Sequence, residues 1–257
     1  MILRYCLSLV VLLWLSKLSA QIVLNEKIPS QNISNSLFVL EDKEGKLGID
    51  KVSTGEFDEK FKPLRQEVFN VGISASTYWL RFDLQTKQPE IRDWLLYSSY
   101  TFLDEVSLYQ KDTKGNWQVT SLGIEQKFEN RLIKHRYIIF PLTLPDTLPQ
   151  RFFVKIHSQT PIQFPLYIER GSVFAEPSRT LELFYGIFIG ITSLMLIGSF
   201  FYWLYFKDKE YLYYGIFLLG AMIFYLSMSG HLFQYLWRNN GHAGKIFFGL
   251  CIGILII

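Results

Sequence analysis

The residues with the clearest potential for chemistry form a basic cluster near the middle of the chain. The segment 130–136 reads Asn-Arg-Leu-Ile-Lys-His-Arg and places four basic or potentially basic side chains within six positions. Charge-assisted hydrogen bonds from such side chains can bind an anionic or hydroxyl-rich ligand. A solvated loop is the competing interpretation. We predict Arg131, His135 and Arg136 as ligand contacts.

A second candidate group lies on the predicted strand 77–84, where Trp79 and Arg81 share the more polar face. An aromatic ring can stack on the apolar C–H surface of a sugar at little entropic cost. The competing interpretation is that such rings form the core of a β-sandwich. We add Trp79 and Arg81 to the predicted ligand contacts. Other rings with the same stacking chemistry are Tyr97, Tyr100, Tyr109, Trp117 and Tyr137.

The sequence does not indicate catalysis or metal binding in this region. His135 and His157 lie on different predicted strands, and no cysteine or close histidine pair accompanies them. No serine nucleophile elbow and no glycine-rich phosphate loop is present. The formal net charge is +3, but the basic residues form no stripe typical of nucleic-acid binding. We predict no catalytic residue, no metal, no cofactor and no nucleic-acid partner, and we expect that the chain is not an enzyme.

Short alternating segments predict the elements that must position these residues. In 77–84 and 162–168 apolar residues recur at every second position, which is typical of half-buried strands. Pro165 cannot donate to a sheet, so the second strand should be at an edge or bulged. Segments 105–111 and 117–122 flank a polar turn that contains Gly115, which predicts a hairpin. Further strands are predicted at 94–99, 136–142 and 152–158.

About eight strands without a long helical segment before residue 180 predict an all-β domain over residues 37–170, an antiparallel β-sandwich or jelly roll. A linker, 21–36, precedes it. Residues 1–20 resemble a secretory signal peptide, with Arg4 before an apolar stretch and Ser19-Ala20 at the cleavage edge. An uncleaved anchor helix is the alternative.

The chain after residue 182 is almost continuously apolar. Segments 183–206 and 211–237 are long enough to span a membrane, after a juxtamembrane linker at 171–182. A third apolar run, 246–257, continues to the end of the sequence and predicts a truncated third span. We expect residues 21–180 outside the membrane and the turn 207–210 in the cytoplasm.

Two features of the apolar half have alternative interpretations. His231 either belongs to a polar interfacial turn with Ser229 and Gly230 or acts as a proton-sensitive switch. Gly186 and Gly190 form a small-residue pair that allows close helix packing. That packing occurs either within one helix bundle or between two copies of the chain.

An ordered set of motifs resembles the bacterial seven-transmembrane receptors with diverse intracellular signalling modules, in their form with a type-2 extracellular domain. The motifs are Tyr-Trp-Leu-Arg-Phe at 78–82, Leu-Asp-Glu-Val-Ser-Leu-Tyr at 103–109, Asn-Arg at 130–131, His-Arg at 135–136, Phe-Pro-Leu at 140–142, Pro-Leu at 165–166, Tyr-Gly at 185–186, Asp208, Glu-Tyr-Leu-Tyr-Tyr at 210–214 and Gln-Tyr-Leu-Trp at 234–237.

The resemblance implies a carbohydrate-binding-like jelly roll whose state is carried by seven helices to a cytoplasmic enzyme. We expect at most three of those helices, and no output domain, within the present sequence. We therefore expect the sensory portion of a multi-pass receptor of the bacterial inner membrane, surrounded by membrane lipid. Its expected ligand is an extracytoplasmic small molecule or glycan, and a second copy or a separate signalling chain is a candidate protein partner. The alternative is a membrane-tethered binding or assembly module that contacts a protein and does not signal.

Overall fold

The computed structural model describes residues 21–25 and 30–256, without the side chains of 175–179 and 254–256. The predicted signal peptide, residues 1–20, lies outside these ranges. The strands are β1 Gln21–Leu24, β2 Ser30–Asn32, β3 Phe38–Asp42, β4 Lys62–Pro63, β5 Phe69–Gly72, β6 Thr77–Thr86, β7 Trp94–Ser98, β8 Glu105–Lys111, β9 Trp117–Leu122, β10 Ile138–Pro141, β11 Gln150–His157, β12 Ile162–Phe164 and β13 Tyr167–Arg170. The α-helices are α1 Ile49–Val52, α2 Gly171–Phe206, α3 Lys209–Met228, α4 His231–Tyr235 and α5 Gly241–Ile256. Short 3-10 helices cover Ser34–Ser36, Gly55–Lys60 and Phe128–Asn130.

The strands build a sandwich of antiparallel sheets. The larger sheet has the order β4-β3-β6-β11-β8-β9, with β1 added in parallel along the last four residues of β6. The second sheet has the order β10-β7-β13-β2, and β12 pairs with β5 in a small third sheet. One apolar core lies between the two larger sheets and includes Leu80 and Phe82 of β6 with Leu96 of β7 and Ile168 of β13. The predicted fold class, a sheet-rich antiparallel domain followed by apolar helices, is confirmed.

The hairpin of β8 and β9 has the predicted bounds. The turn between them is fixed by Asp112, whose side-chain oxygen accepts from the backbone N–H of Lys114 and Asn116, and by Gly115 at a φ of 86°. Only a residue without a Cβ adopts that φ at little cost. The turn chemistry therefore accounts for the end of β8 and the start of β9.

Two strand predictions are wrong in their details. Strand β6 is not half-buried: its core face is in the sandwich, and the opposite face is covered by the segment 42–61, which packs Val52 and Phe61 against Trp79. The predicted strand 162–168 is two strands, because the chain switches sheets at Pro165. β12 pairs with β5 before the proline and β13 pairs with β7 and β2 after it. A residue without a backbone N–H suits a position between ladders.

The helical half also differs from the prediction at its boundaries. Helix α2 begins at Gly171, so the predicted linker 171–182 is helical and continuous with the first span. Two described helical segments are long and apolar enough to cross a membrane, Thr180–Phe206 and Lys209–Met228. The second ends at Met228, not at 237, because Gly230 adopts a φ of 82° and starts the separate helix α4. Asp208 begins α3 by accepting from the backbone N–H of Glu210, as N-cap residues do.

Candidate functional site

The five predicted ligand contacts fall into two groups in the structure. Trp79 and Arg81 lie on the outer face of β6, beneath the segment 42–61. Arg131, His135 and Arg136 lie in the segment between β9 and β10, where it meets the helices. No contact in the described part of the chain joins the two groups. Ligand binding by any of the five stays a prediction.

The outer face of β6 is closed to solvent by apolar packing, and the indole N–H of Trp79 is buried there without a hydrogen-bond partner among the described residues. The side chain of Trp79 has no solvent exposure, and its ring centroid lies 5.2 Å from that of Tyr109. Arg81 forms an ion pair with Asp58, and its guanidinium carbon lies 4.5 Å from the centre of the Phe61 ring. Burial lowers the pKa of Arg81, and the Asp58 carboxylate acts in the opposite direction. All of these partners belong to the β-domain.

Arg131 organises the segment that faces the helices. Its guanidinium lies between the rings of Phe128 and Phe233, 5.1 and 5.2 Å from their centres. One nitrogen, Nη1, lies within hydrogen-bonding distance of the backbone carbonyls of residues 135, 136 and 137, at 2.8, 3.0 and 2.8 Å, and its two N–H groups are shared among them. Burial lowers the pKa of Arg131 to about 10. Arg131 therefore positions its neighbours in the chain.

Arg136 connects the β-domain to two helices. Its Nε donates to Glu182 Oε1 at 2.9 Å, and its Nη1 donates to the carbonyl of Ser229 at 3.1 Å. Glu182 lies in α2, and Ser229 follows the last residue of α3. The second carboxylate oxygen of Glu182 lies 2.9 Å from His231 Nε2, and His231 Nδ1 lies 2.7 Å from Ser229 Oγ. We call Arg136, Glu182, Ser229 and His231 the junction.

The electrostatics of the junction favour a charged arginine. Burial is the largest single influence and opposes the charge, but the hydrogen bond to Glu182, the Tyr137 and Tyr185 side chains and the charge of Glu182 together outweigh it, so the pKa of Arg136 is raised. The guanidinium also lies over two rings, 4.4 Å from the centre of Tyr137 and 4.7 Å from that of Tyr185. A cation beside the last carbonyls of a helix is stabilised by their partial negative charge. Arg136 thus acts as a cap on α3 supplied by another element.

His135 supports this arrangement as a neutral ring. Its Nδ1 accepts from the backbone N–H of Tyr137 at 3.1 Å, and the ring lies edge-on to Tyr137 and Phe174. Burial first, and then the charge of Arg136, lower the pKa of His135 to about 4.

A second set of contacts flanks the junction. The hydroxyl of Thr101 donates to the carbonyl of Met228 at 3.2 Å, and Lys245 of α5 lies 2.9 Å from the buried carboxylate of Asp104. Phe102 packs on Phe248 with centroids 4.7 Å apart. A Cβ on Gly241 would overlap the carbonyl oxygen of Ile124, so only glycine allows this approach.

A cavity of about 300 Å³ lies between the second sheet and the start of α2. It is lined by Tyr97, Ser99, Tyr137, Tyr167, Glu169, Phe174 and Leu181. The rings of Tyr97 and Tyr167 are stacked at 5.3 Å on paired strands, and Phe174 meets Tyr97 edge-on at 5.1 Å. Glu169 is only 4% exposed, and the Tyr97 hydroxyl lies close enough to its carboxyl group to influence the pKa of that group. Burial raises the pKa of both Tyr97 and Glu169.

Sequence reasoning missed Glu182, Tyr167, Glu169 and Phe174. Glu182 carried a signal, because an acidic residue directly before an apolar run is costly in a membrane helix unless it is paired. Glu169 carried a weaker one, since it follows Tyr167 by two positions and so shares its face of a strand. His231 lies in the predicted turn with Ser229 and Gly230, and the structure adds Glu182 as its partner.

The comparisons with known proteins agree with the order of these two parts. Residues 34–170 match the family described as 7TMR-DISM extracellular 2, and residues 181–257 match the family described as 7TM diverse intracellular signalling. No curated protein matches the chain. A solved structure of TmCBM61 in complex with beta-1,4-galactotriose is 12% identical with a TM-score of 0.31, and the match covers 56% of this chain and 96% of that one. Similarity at that level supports no inference about this chain.

Proposed function

The chain belongs to the family of seven-transmembrane receptors with diverse intracellular signalling modules, and we propose that it senses a ligand outside the cell and relays its presence through the junction. In this proposal the β-sandwich binds a small molecule or glycan. The helices α2 and α3 carry the change across the bacterial inner membrane to an output domain. No catalytic role is assigned to these residues.

One observation supports the relay above the others. A single buried side chain of the β-domain, Arg136, contacts the start of the first span and the end of the second; we call these two ends the helix heads. Arg136 binds Glu182 in α2 and the carbonyl that follows α3. A movement of the segment 131–137 must therefore change the contacts of both helices at once. Interfaces of this kind, with polar contacts that can exchange partners, are a common basis for two-state switching.

The relay requires that the ligand bind the two states with different affinity. A ligand that binds both equally shifts nothing, however tightly it binds. Two structural routes connect the sandwich to the junction: Arg131, which holds the carbonyls of residues 135–137, and Tyr137, which lines the cavity and contacts Arg136.

The proposal is tested on the full chain in lipid nanodiscs. Glycan arrays and a small-molecule library identify a binder, and hydrogen exchange then measures residues 180–186 and 229–236 with and without it. We expect binding to change exchange in both segments. In an Arg136→Met variant the same compound should still bind, but the change at 229–236 should be lost.

Two outcomes would contradict the proposal. Uniformly blank arrays and libraries, with the sandwich shown to be folded by its exchange protection, would argue against a sensory role. Binding that leaves both helical segments unchanged would instead favour the second candidate, a membrane-tethered binding or assembly module that does not signal.

A further inference from the structure

We propose that the cavity between the second sheet and α2 is the ligand site and that it takes a small organic cation, an alkylammonium group, against Glu169. This inference rests on the proposed sensory function and names the location and the chemical class of the ligand. Four aromatic residues and one buried carboxylate line the cavity, namely Tyr97, Tyr137, Tyr167, Phe174 and Glu169.

The first argument is the charge balance of Glu169. The residue is only 4% exposed; its burial raises the pKa of the carboxyl group, and the Tyr97 hydroxyl acts in the opposite direction. Among the side chains that the structure describes, no lysine or arginine forms an ion pair with it. Buried carboxylates are stable when a positive charge compensates them. A cationic ligand would supply that charge.

The second argument is that mainly aromatic side chains line the cavity. The faces of aromatic rings carry partial negative charge and attract a desolvated cation by about 2 kcal/mol. Tyr97 and Tyr167 stand as a stacked pair on neighbouring strands, and Phe174 closes the set from α2. Leu181 adds an apolar wall that suits the alkyl part of an alkylammonium ion. The volume of about 300 Å³ is at the small end of the range for small-molecule sites.

The nearby arginine does not oppose this assignment. Arg136 lies over the Tyr137 ring, but Glu182 neutralises it in a 2.9 Å ion pair. Arg136 is also absent from the groups that influence the pKa of Glu169. Arg136 is therefore paired with Glu182 and not with Glu169, although Tyr137 lines the cavity and contacts Arg136.

The position of the cavity suits a sensor. Phe174 and Leu181 lie on α2, whereas Tyr97, Tyr167 and Glu169 lie on the sheet. A cation held between them would contact the sandwich and the helix simultaneously. Such a ligand has different contacts in two arrangements of helix and sheet, which is the condition for shifting their populations.

The test uses isothermal titration of the full chain in nanodiscs with choline chloride and with 3,3-dimethylbutan-1-ol, which has the same shape without the charge. Empty nanodiscs provide the background. We expect choline to bind at least about tenfold more tightly than the neutral isostere. Glu169→Gln, which keeps an acceptor for the Tyr97 hydroxyl, should weaken choline binding at least about tenfold, while the matched control Glu90→Gln on the surface should not.

A second variant, Tyr167→Leu, tests the same site if Glu169→Gln does not fold. It removes a ring at the cavity edge and leaves Glu169 in place. It should also weaken choline binding. The inference is overturned if choline and the isostere bind equally, if neither binds to the folded chain, or if both variants bind choline as the wild type does.

These results are separable from those on the relay. A glycan that changes exchange at 180–186 and 229–236, with no choline binding, would leave the sensory function standing and remove the cationic ligand. Choline binding that does not change exchange in those segments would support the cationic ligand site and argue against the relay to the helices.

Discussion

Two buried arginines in this chain have nearly the same surroundings and different consequences. Arg81 and Arg136 are 7% and 2% exposed, each lies over two aromatic rings, and each is paired with a carboxylate that is about two-fifths exposed. The partners of Arg81 all belong to the β-domain. The partners of Arg136 include α2 and the residue that follows α3. The same chemistry therefore stabilises one domain in the first case and connects domain to helices in the second.

The two ion pairs differ in which structural elements come apart when the arginine is removed. Removing one partner of a buried ion pair costs most when the other partner cannot regain water. Asp58 can rehydrate without disturbing the sandwich, because it lies on a short 3-10 helix at the surface. At the junction, the carbonyl of Ser229 loses its donor as well, and Glu182 is left with His231 as its partner.

The largest effect is expected next to Arg81, in the same closed face. Trp79→Ala should lower the free energy of unfolding of the β-domain by about 3–5 kcal/mol, because it leaves a cavity beneath the segment 42–61. Urea unfolding of the full chain measures it, with the exposed Leu132→Ala as the control. A loss below about 1 kcal/mol together with loss of ligand binding would support a direct ligand contact by Trp79.

At the junction, Arg136→Met keeps the packing of the side-chain stem and removes the charge. We expect docking of the helix heads to weaken by about 2–3 kcal/mol, while the unfolding free energy of the β-domain changes by less than about 1 kcal/mol. Hydrogen exchange at residues 229–236 should accelerate by about 30- to 150-fold. If the sandwich unfolds more easily and exchange at the helix heads does not change, the contrast with Arg81 disappears.

The counterpart variant is Arg81→Met. It should lower the unfolding free energy of the β-domain by about 1–2 kcal/mol, because Asp58 regains water and Phe61 keeps a packing partner. Exchange at residues 229–236 should not change. Acceleration there would show that the two arginines are energetically coupled through the sandwich.

The smallest effect concerns acid stability near the junction. Burial lowers the pKa of His135 to about 4, below its unfolded value of about 6.5. The unfolded chain therefore binds more protons between these values, and this contribution to stability, present above about pH 6.5, is lost as the pH falls to about 4. After allowance for its partial exposure we expect about 1 kcal/mol. His135→Gln should flatten this part of a stability profile measured by urea unfolding at several pH values; an unchanged profile would assign the acid loss to other groups.

Much of the fold could be predicted because its signals are local. The hairpin 105–122 depends on one turn, and the alternation in β6 identifies the residues that face the core. The covering of its other face could not be predicted, because the segment 42–61 has no strong periodic pattern and acts only through tertiary packing. The end of α3 depends on Gly230, whose φ of 82° is a property of the folded turn.

The candidate site was harder to predict because its partners are far apart in the chain. Arg136 and Glu182 are separated by 46 positions, and Glu182 and His231 by 49. The basic cluster 130–136 has the composition of a binding loop. In the structure its two arginines contact backbone carbonyls and a helix carboxylate. Composition cannot distinguish these roles, since both use charge-assisted hydrogen bonds.

Helix α2 runs without interruption for 36 residues, from Gly171 beside the sheet to Phe206 at the opposite end of the first span. At about 1.5 Å per residue it is a rod about 54 Å long. A tilt of about 5° along the whole of this length would move the far end of the helix by roughly 5 Å, the rise of one helical turn. A small displacement where α2 meets the sheet would then be a larger displacement at the other end of the helix.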